Sequence, residues 1–85
     1  MITKKMTIAI PTGLEARPVA LFVQVASQYD SSIYVEYENK KVNAKSIMGM
    51  MTLGLNTGEE VVVTANGADE ETAIESIEKY LSEAV

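Results

Sequence analysis

Residues 61–65 read Val61-Val62-Val63-Thr64-Ala65, a nearly continuous run of β-branched residues. Such a run predicts a strand in the middle of a sheet, since both of its faces are apolar. The chain then turns at Asn66-Gly67, and we expect Asp69 to cap a helix whose first turn carries Glu70 and Glu71. Apolar residues of this last helix recur at helical spacing and predict one buried face: Ile74, Ile77, Leu81 and Ala84.

Upstream of this strand, the pattern changes between strand and helix several times. Residues 2–10 alternate as a strand does, and Pro11-Thr12-Gly13 ends the alternation. Residues 17–28 predict a helix, with Pro18 in a first turn that tolerates proline. Its expected buried stripe consists of Ala20, Leu21, Phe22, Val23 and Ala26.

The middle of the chain predicts a hairpin followed by a short helix. Residues 33–37 are β-branched and aromatic, and Asn39 tolerates the left-handed conformation of a hairpin turn, so Val42 should return antiparallel. Residues 47–53 predict a short apolar helix with Ser46 as its N-cap. The order β-α-β-β-α-β-α predicts an α+β fold, an open-faced β-sandwich. Its four-stranded antiparallel sheet would carry three helices on one face.

Length and composition limit the kinds of function to consider. The 85 residues suffice for one domain, which we expect to span 1–85. The chain has no histidine and no cysteine, which argues against imidazole catalysis, thiol nucleophiles and zinc sites. We therefore expect no metal, no cofactor and no enzymatic activity. No signal peptide or membrane-spanning run is apparent, so a cytoplasmic protein without a membrane partner is the expectation.

Charge is distributed unevenly along the chain. Residues 1–58 carry six basic and four acidic side chains, a net +2, whereas residues 59–85 carry eight acids against Lys79, a net −7. The total of −5 argues against direct binding of nucleic acid, whose phosphates would repel such a surface. The basic part could accept an anion or an acidic partner, or both parts could be ordinary solvated surface.

Two segments carry a resemblance to a known family. They are Thr12-Gly13-Leu14-Glu15-Ala16-Arg17-Pro18 and Lys41-Val42-Asn43-Ala44-Lys45-Ser46-Ile47-Met48-Gly49-Met50-Met51. With the predicted element order, they make the chain similar to the HPr family of the bacterial sugar phosphotransferase system over essentially its whole length. In that family the first segment holds the histidine that carries a phosphoryl group. The second holds a serine that HPr kinase/phosphorylase modifies.

Position 15, where the phosphocarrier has histidine, is Glu15 in this chain. The chain resembles most closely the branch of the family that lacks this histidine and serves catabolite repression, Crh, although that branch usually has glutamine there. The resemblance implies phosphorylation of Ser46 by HPr kinase/phosphorylase and binding of the modified form, as corepressor, to the transcription regulator CcpA. The alternative is an HPr phosphocarrier inactivated or engineered at position 15.

The partner surface implied by this resemblance surrounds Ser46. It comprises Glu15, Arg17, Lys45, Ile47, Met48 and Met51. Met50 and Leu53 are expected in the core, whereas Ile47, Met48 and Met51 could be interface or core filler. A phosphate on Ser46 would face the free N–H groups of the helix start, so it should alter the surface more than the fold.

Glu15 and the first strand raise two further questions. Glu15 could pair with Arg17, or it could partly mimic the charge of a phosphohistidine. Nothing in the sequence supports an acyl phosphate there, so we expect no phosphoryl transfer. The short connection Pro11-Thr12-Gly13 suggests a monomer that can exchange its first strand to form a domain-swapped homodimer, as proteins of the Crh branch can.

Overall fold

The computed structural model describes residues 1–10 and 16–82, with side-chain detail resuming at Pro18 after the first gap. Four strands and three helices follow one another in the predicted order. They are β1 (Ile2–Thr7), α1 (Ala16–Ser27), β2 (Ser32–Tyr37), β3 (Lys40–Asn43), α2 (Ile47–Met51), β4 (Glu60–Asn66) and α3 (Glu70–Leu81). The predicted hinge at Pro11-Thr12-Gly13, Glu15 and Ala84 all lie outside the described residues.

The strands form one antiparallel sheet in the order β1-β4-β2-β3. β4 is central, as its apolar sequence predicts, and pairs with β1 from Ile2↔Ala65 to Thr7↔Glu60. Its other edge pairs with β2, including Val35↔Val63. α3 packs on β1 and β4, and α1 lies between α2 and α3. The predicted open-faced arrangement, with three helices over one side of the sheet, is therefore confirmed.

Alternation along the strands separates a buried face from an open one. The inward positions of β4 are Val61, Val63 and Ala65, all at most 1% exposed. Outward positions are polar or aromatic except for Val62 of β4, and on this open face the ammonium of Lys41 lies 5.3 Å from the ring centre of Tyr34. The helices therefore cover the apolar side of the sheet, and burial of this surface is the main source of stability.

The buried stripe of α1 differs from the prediction at three positions: Val19 is buried although it was not predicted, Ala20 is only partly buried, and Leu21 is exposed. Val19, Phe22, Val23 and Ala26 are buried, at the spacing i, i+3, i+4, i+7 expected of one helix face. Leu21 was expected in this stripe, but it is 47% exposed, so that prediction was wrong. Its position falls between two successive core positions, and the helix turns it toward solvent.

The hairpin between β2 and β3 also corrects the sequence prediction. Tyr37 pairs with Lys40, which leaves Glu38 and Asn39 as a two-residue loop. The positive φ lies at Glu38, with a value of 56°, and not at Asn39. A positive φ at the first loop residue alone is the pattern of a type II′ turn, whereas the prediction had assumed that asparagine would take the left-handed position.

Asp69 occupies the predicted N-cap position of α3, but its side chain does not cap the helix. Its carboxylate instead accepts hydrogen bonds from the backbone N–H of Asp30 at 2.9 Å and of Ser31 at 3.0 Å, and from the Ser31 hydroxyl. Ser31 is almost fully buried. The prediction of a side-chain cap was therefore wrong, because the approach of β2 offers this carboxylate three donors.

Candidate functional site

Ser46 is the N-cap of α2, as its sequence position predicts. Its backbone is extended, with φ −107° and ψ 114°, and its Oγ accepts a hydrogen bond from the N–H of Gly49 at 3.1 Å. The Ser46 carbonyl accepts the first helical bond, from Met50 N at 3.0 Å. Ser46 is only partly buried, and its hydroxyl lies at the amino end of the helix.

Space and charge around the Ser46 hydroxyl are defined by α2. A Cβ placed on Gly49 would lie 3.3 Å from Ser46 Oγ and 3.4 Å from Val42 Cβ, so glycine leaves room beside the hydroxyl. The first turn of α2 contains no acidic residue. An added phosphate, with ~2 negative charges, would therefore meet no carboxylate from this turn.

The outer side of α2 is apolar and exposed. Ile47 is 47% exposed, Met48 80% and Met51 51%. Met50 is fully buried and Leu53 nearly so, as predicted, and they hold the helix on the domain. We call the exposed set Ile47, Met48 and Met51 the α2 patch. Three large apolar side chains exposed side by side are typical of a protein-binding surface, and methionine adapts its shape to different partners.

Lys45, which the sequence places on the partner surface, makes an internal contact. Its ammonium donates a hydrogen bond of 2.6 Å to the carbonyl of Tyr29, just beyond the end of α1. Its backbone N–H donates to the side-chain oxygen of Asn43 at 2.8 Å. The Asn43 contact has a sequence signal, since asparagine commonly bonds the backbone two residues on, but the Tyr29 contact has none.

Two residues of the predicted partner surface cannot be placed by their side chains. Glu15 lies outside the described residues, and Arg17 is in the first turn of α1 without a described side chain. The structure thus brings together Ser46, Lys45 and the α2 patch. The roles of Glu15 and Arg17, including their expected pairing, stay predictions.

Ionisable groups with shifted pKa values lie away from Ser46. The Ser31 hydroxyl and the Asp30 N–H lower the pKa of Asp69. The N-terminal ammonium, 2.9 Å from Glu70, and the Gly67 N–H lower the pKa of Glu70. A hydrogen bond from Tyr37 to the Glu59 carboxylate raises the pKa of the phenol. Each shift accompanies a contact that connects elements of the fold, so these groups are structural.

Other features of the described residues offer little for small-molecule chemistry. An open groove of about 240 Å³ near α1 and α3 is lined by Val25, Gln28, Tyr29, Ser76, Lys79 and Tyr80. Its volume is below the ~300 Å³ at which ligand pockets commonly begin. Within residues 1–10 and 16–82, no group of three or more acidic side chains is arranged to hold a metal ion. No helix in that part of the chain is long and apolar enough to cross a membrane.

Comparisons with known proteins match this chain over nearly its whole length. The family model described as "PTS HPr component phosphorylation site" matches residues 2–83. HPr-like protein Crh of Bacillus subtilis is 48% identical over 85 residues, which cover 100% of both chains.

Solved structures give the same result for the fold. The crystal structure of HPr-C-His from Thermoanaerobacter tengcongensis has a TM-score of 0.91 and 52% identity, covering 95% of this chain and 91% of the other. The crystal structure of selenomethionyl Crh from Bacillus subtilis, described as a domain-swapped dimer, has a TM-score of 0.79 and 48% identity. It covers 100% of this chain and 98% of the other.

Proposed function

Since the chain belongs to the HPr family, we propose that it is a cytoplasmic regulatory phosphoprotein of carbon catabolite repression whose signal is a phosphate on Ser46. HPr kinase/phosphorylase adds the phosphate, and the modified protein acts as corepressor by binding a CcpA-type transcription regulator. The observation that carries this proposal is the Ser46 hydroxyl itself, partly exposed at the start of α2 and next to the α2 patch.

Phosphorylation of Ser46 is compatible with the geometry of the free protein. The hydroxyl accepts only one hydrogen bond from a described residue, from Gly49 N–H, and its own proton is available to a catalytic base. In the phosphoserine the ester oxygen is a weaker acceptor, and the phosphate oxygens can take over the N–H groups of the helix start. The fold should survive the modification, because the core residues of α2 are unaffected.

Recognition by the regulator would use two kinds of contact. The phosphate supplies charge and directional acceptors for arginine or lysine side chains of the partner. The α2 patch supplies apolar surface that is already exposed, so no part of the domain has to unfold to present it. Arg17 and Glu15, which the family resemblance assigns to the same surface, would complete it.

The test compares binding of four proteins to a CcpA-type regulator after treatment with HPr kinase/phosphorylase and ATP. We expect the treated wild type to bind, and Ser46→Ala to take no phosphate and bind no better than untreated protein. Met48→Ala should be phosphorylated but bind about tenfold more weakly, since alanine removes a central apolar contact. Tyr34→Ala, a matched exposed apolar site on the open face of the sheet, should bind as wild type. Equal binding of treated and untreated wild type would refute the proposal.

The lack of histidine separates this proposal from the phosphocarrier alternative. The chain contains no histidine at any position, and position 15 is Glu15. We therefore propose that it accepts no phosphoryl group from enzyme I. Incubation with phosphoenolpyruvate and enzyme I should leave the protein unlabelled, while an HPr control is labelled in parallel. Stable labelling of this chain would favour a carrier function instead.

Assembly is a further part of the proposal. β1 is an edge strand that pairs with β4 alone and buries Met6 in the core. Ion pairs also join this end of the chain to α3: Lys4–Glu78 at 2.8 Å and, just before β1, the Met1 ammonium with Glu70. The same pairs can form between two chains that exchange β1, so we propose a monomer with an accessible domain-swapped dimer. Size-exclusion chromatography of millimolar protein after long incubation should reveal the dimer; a single monomer peak would argue against it.

A further inference from the structure

The segment that precedes Ser46 is held in place by a small set of hydrogen bonds. Ser46 N–H donates to the carbonyl of Asn43 at 3.0 Å, and the Asn43 side chain accepts from Lys45 N–H. Ala44 is fully buried and its N–H donates to Ile33 in β2 at 2.9 Å. We call residues 43–46 the presenting turn. Its backbone is therefore fixed locally and against the sheet.

The side chain of Lys45 adds a hydrogen bond between the presenting turn and the end of α1. Its ammonium reaches the carbonyl of Tyr29, 16 positions earlier in the chain, at 2.6 Å. The last turn of α1 tightens here, because Tyr29 N–H bonds to Ala26 at 3.3 Å, and the carbonyls at such an end carry partial negative charge. An ammonium is favoured at this position, and the contact joins the end of α1 to the residue next to Ser46.

The charge of Lys45 has no carboxylate partner among residues 1–10 and 16–82. The residue is half-buried, and its stem is used to reach an internal carbonyl. A lysine that served a partner only by its charge would keep the ammonium extended in solvent. This geometry favours a holding role in the free protein.

We propose that Lys45 is a positioning residue for phosphorylation of Ser46. By donating a hydrogen bond to the Tyr29 carbonyl, Lys45 fixes the presenting turn. The Ser46 hydroxyl is thereby held in the direction from which it can attack the phosphoryl group that the kinase transfers. The inference rests on the proposed function, since it concerns the same hydroxyl. It differs from a contact residue, which would bind the kinase directly.

Three variants separate these roles. Lys45→Met keeps the apolar stem and loses the donor, Lys45→Arg keeps a donor, and Lys40→Met removes the same charge from an exposed edge position of β3. Steady-state kinetics of phosphorylation and amide hydrogen exchange of the unphosphorylated proteins are measured for all three. Exchange at Val63, in the central strand, reports whether the whole domain is affected.

For Lys45→Met we expect kcat to fall about tenfold while KM stays within about twofold, because a misdirected hydroxyl loses rate more than binding. Exchange of the Ser46 amide should quicken about tenfold, with Val63 unchanged. Lys45→Arg should restore most of kcat, and Lys40→Met should behave as wild type.

Other results would overturn the inference. A raised KM with unchanged kcat and unchanged exchange would mean that the ammonium contacts the kinase. Wild-type kinetics and exchange in Lys45→Met would mean that the tie to Tyr29 has no role. If the wild type itself accepts no phosphate, the proposed function fails. If the wild type and Lys45→Met are phosphorylated equally well, only the inference about Lys45 fails.

Discussion

Ser46 and Ser31 both lie beside the start of a helix, yet their hydroxyls are in opposite situations. Ser46 is partly exposed at the N-cap of α2, and its oxygen accepts a bond from Gly49 N–H. Ser31 is 1% exposed, and its hydroxyl donates to Asp69, the N-cap residue of α3. Ser46 is partly exposed, as the proposed phosphorylation requires, whereas Ser31 is enclosed and its hydroxyl joins the start of β2 to the start of α3. If Ser46 is phosphorylated as proposed, burial and the direction of the hydrogen bond, and not position beside a helix start alone, distinguish it from Ser31.

Introducing a negative charge at each serine tests this contrast most strongly. Ser31→Asp would bury a second carboxylate against Asp69 and remove a donor, so we expect a loss of about 4 kcal/mol or more in the free energy of unfolding. Ser46→Asp should change stability by no more than about 1 kcal/mol, because aspartate is as good an N-cap as serine and suits the helix start.

Urea unfolding with a common m-value provides the measurement. A comparable loss of unfolding free energy in Ser31→Asp and Ser46→Asp would mean that the two serines do not differ in how they tolerate a negative charge. A stable Ser31→Asp protein would mean that the contact with Asp69 is open to solvent, contrary to the burial of this side chain.

A glycine lies next to each serine, and the same substitution should affect the two differently. A Cβ on Gly67 would lie 2.7 Å from the backbone Cα of Ser31, a separation that forces the chain to move. We expect Gly67→Ala to cost about 1–3 kcal/mol, the usual range for overpacking. Around Gly49 the nearest atoms are at 3.3–3.4 Å, and alanine is favoured over glycine in a helix by about 1 kcal/mol, so Gly49→Ala should be nearly neutral.

Urea unfolding of the two alanine variants checks this pair, and phosphorylation adds a second readout. Gly49→Ala narrows the space beside the Ser46 hydroxyl, so its rate of phosphorylation should fall although its stability does not. Gly67→Ala protein that remains folded should be phosphorylated at the wild-type rate, because it leaves the presenting turn intact. The reverse order of stabilities would contradict the packing described for the two serines.

Lowering the pH should reduce the stability that the contacts around Ser31 contribute and leave the contacts around Ser46 unchanged. The pKa of Asp69 is lowered below its usual 3.8 by the Ser31 hydroxyl and the Asp30 N–H, so the unfolded chain binds its proton more readily. The stabilising contribution is complete above the unfolded pKa and is lost as the pH falls through the folded pKa. Glu70, whose pKa is also lowered, contributes in the same direction.

Urea midpoints measured from pH 7 to pH 2 test this linkage. Asp69→Asn should decline less steeply below about pH 4 than the wild type, since one linked carboxyl has been removed. Ser46→Ala is the matched control and should keep the wild-type pH dependence, because a serine hydroxyl does not titrate there. Parallel curves for Asp69→Asn and wild type would show that this carboxyl is not linked to folding.

The sequence predicted the surroundings of Ser46 better than those of Ser31. The N-cap role of Ser46 and the burial of Met50 follow from local spacing within a few residues. The bond from Ser31 to Asp69 joins positions 38 residues apart and depends on how β2 and β4 pair, which no local pattern specifies. The sequence therefore predicted only a helix cap at Asp69 and did not indicate that Ser31 would be its partner.

Strand pairing and packing between elements also explain two other features that the sequence did not predict. The element order and the central place of β4 could be read from apolar runs, because such runs report burial directly. The positive φ at Glu38 follows from the pairing of Tyr37 with Lys40, which composition alone cannot predict. The contact of Lys45 with Tyr29 likewise depends on the packing of α2 beside α1, so the sequence could only place this lysine near the partner surface.

Truncating the α2 patch should have the smallest effect on folding. Met48 is 80% exposed, so alanine at this position removes little surface that folding withdraws from water, and Met48→Ala should change the free energy of unfolding by less than about 0.5 kcal/mol. Urea unfolding at two protein concentrations measures it. A loss above about 1 kcal/mol that grows with protein concentration would mean that a second chain covers Met48 in solution, because only association makes stability depend on concentration. The α2 patch would then be covered by a second copy of the chain before it could bind a regulator. Ser46, which lies beside the patch, would also be less exposed than it is in the single chain, and so more like the buried Ser31.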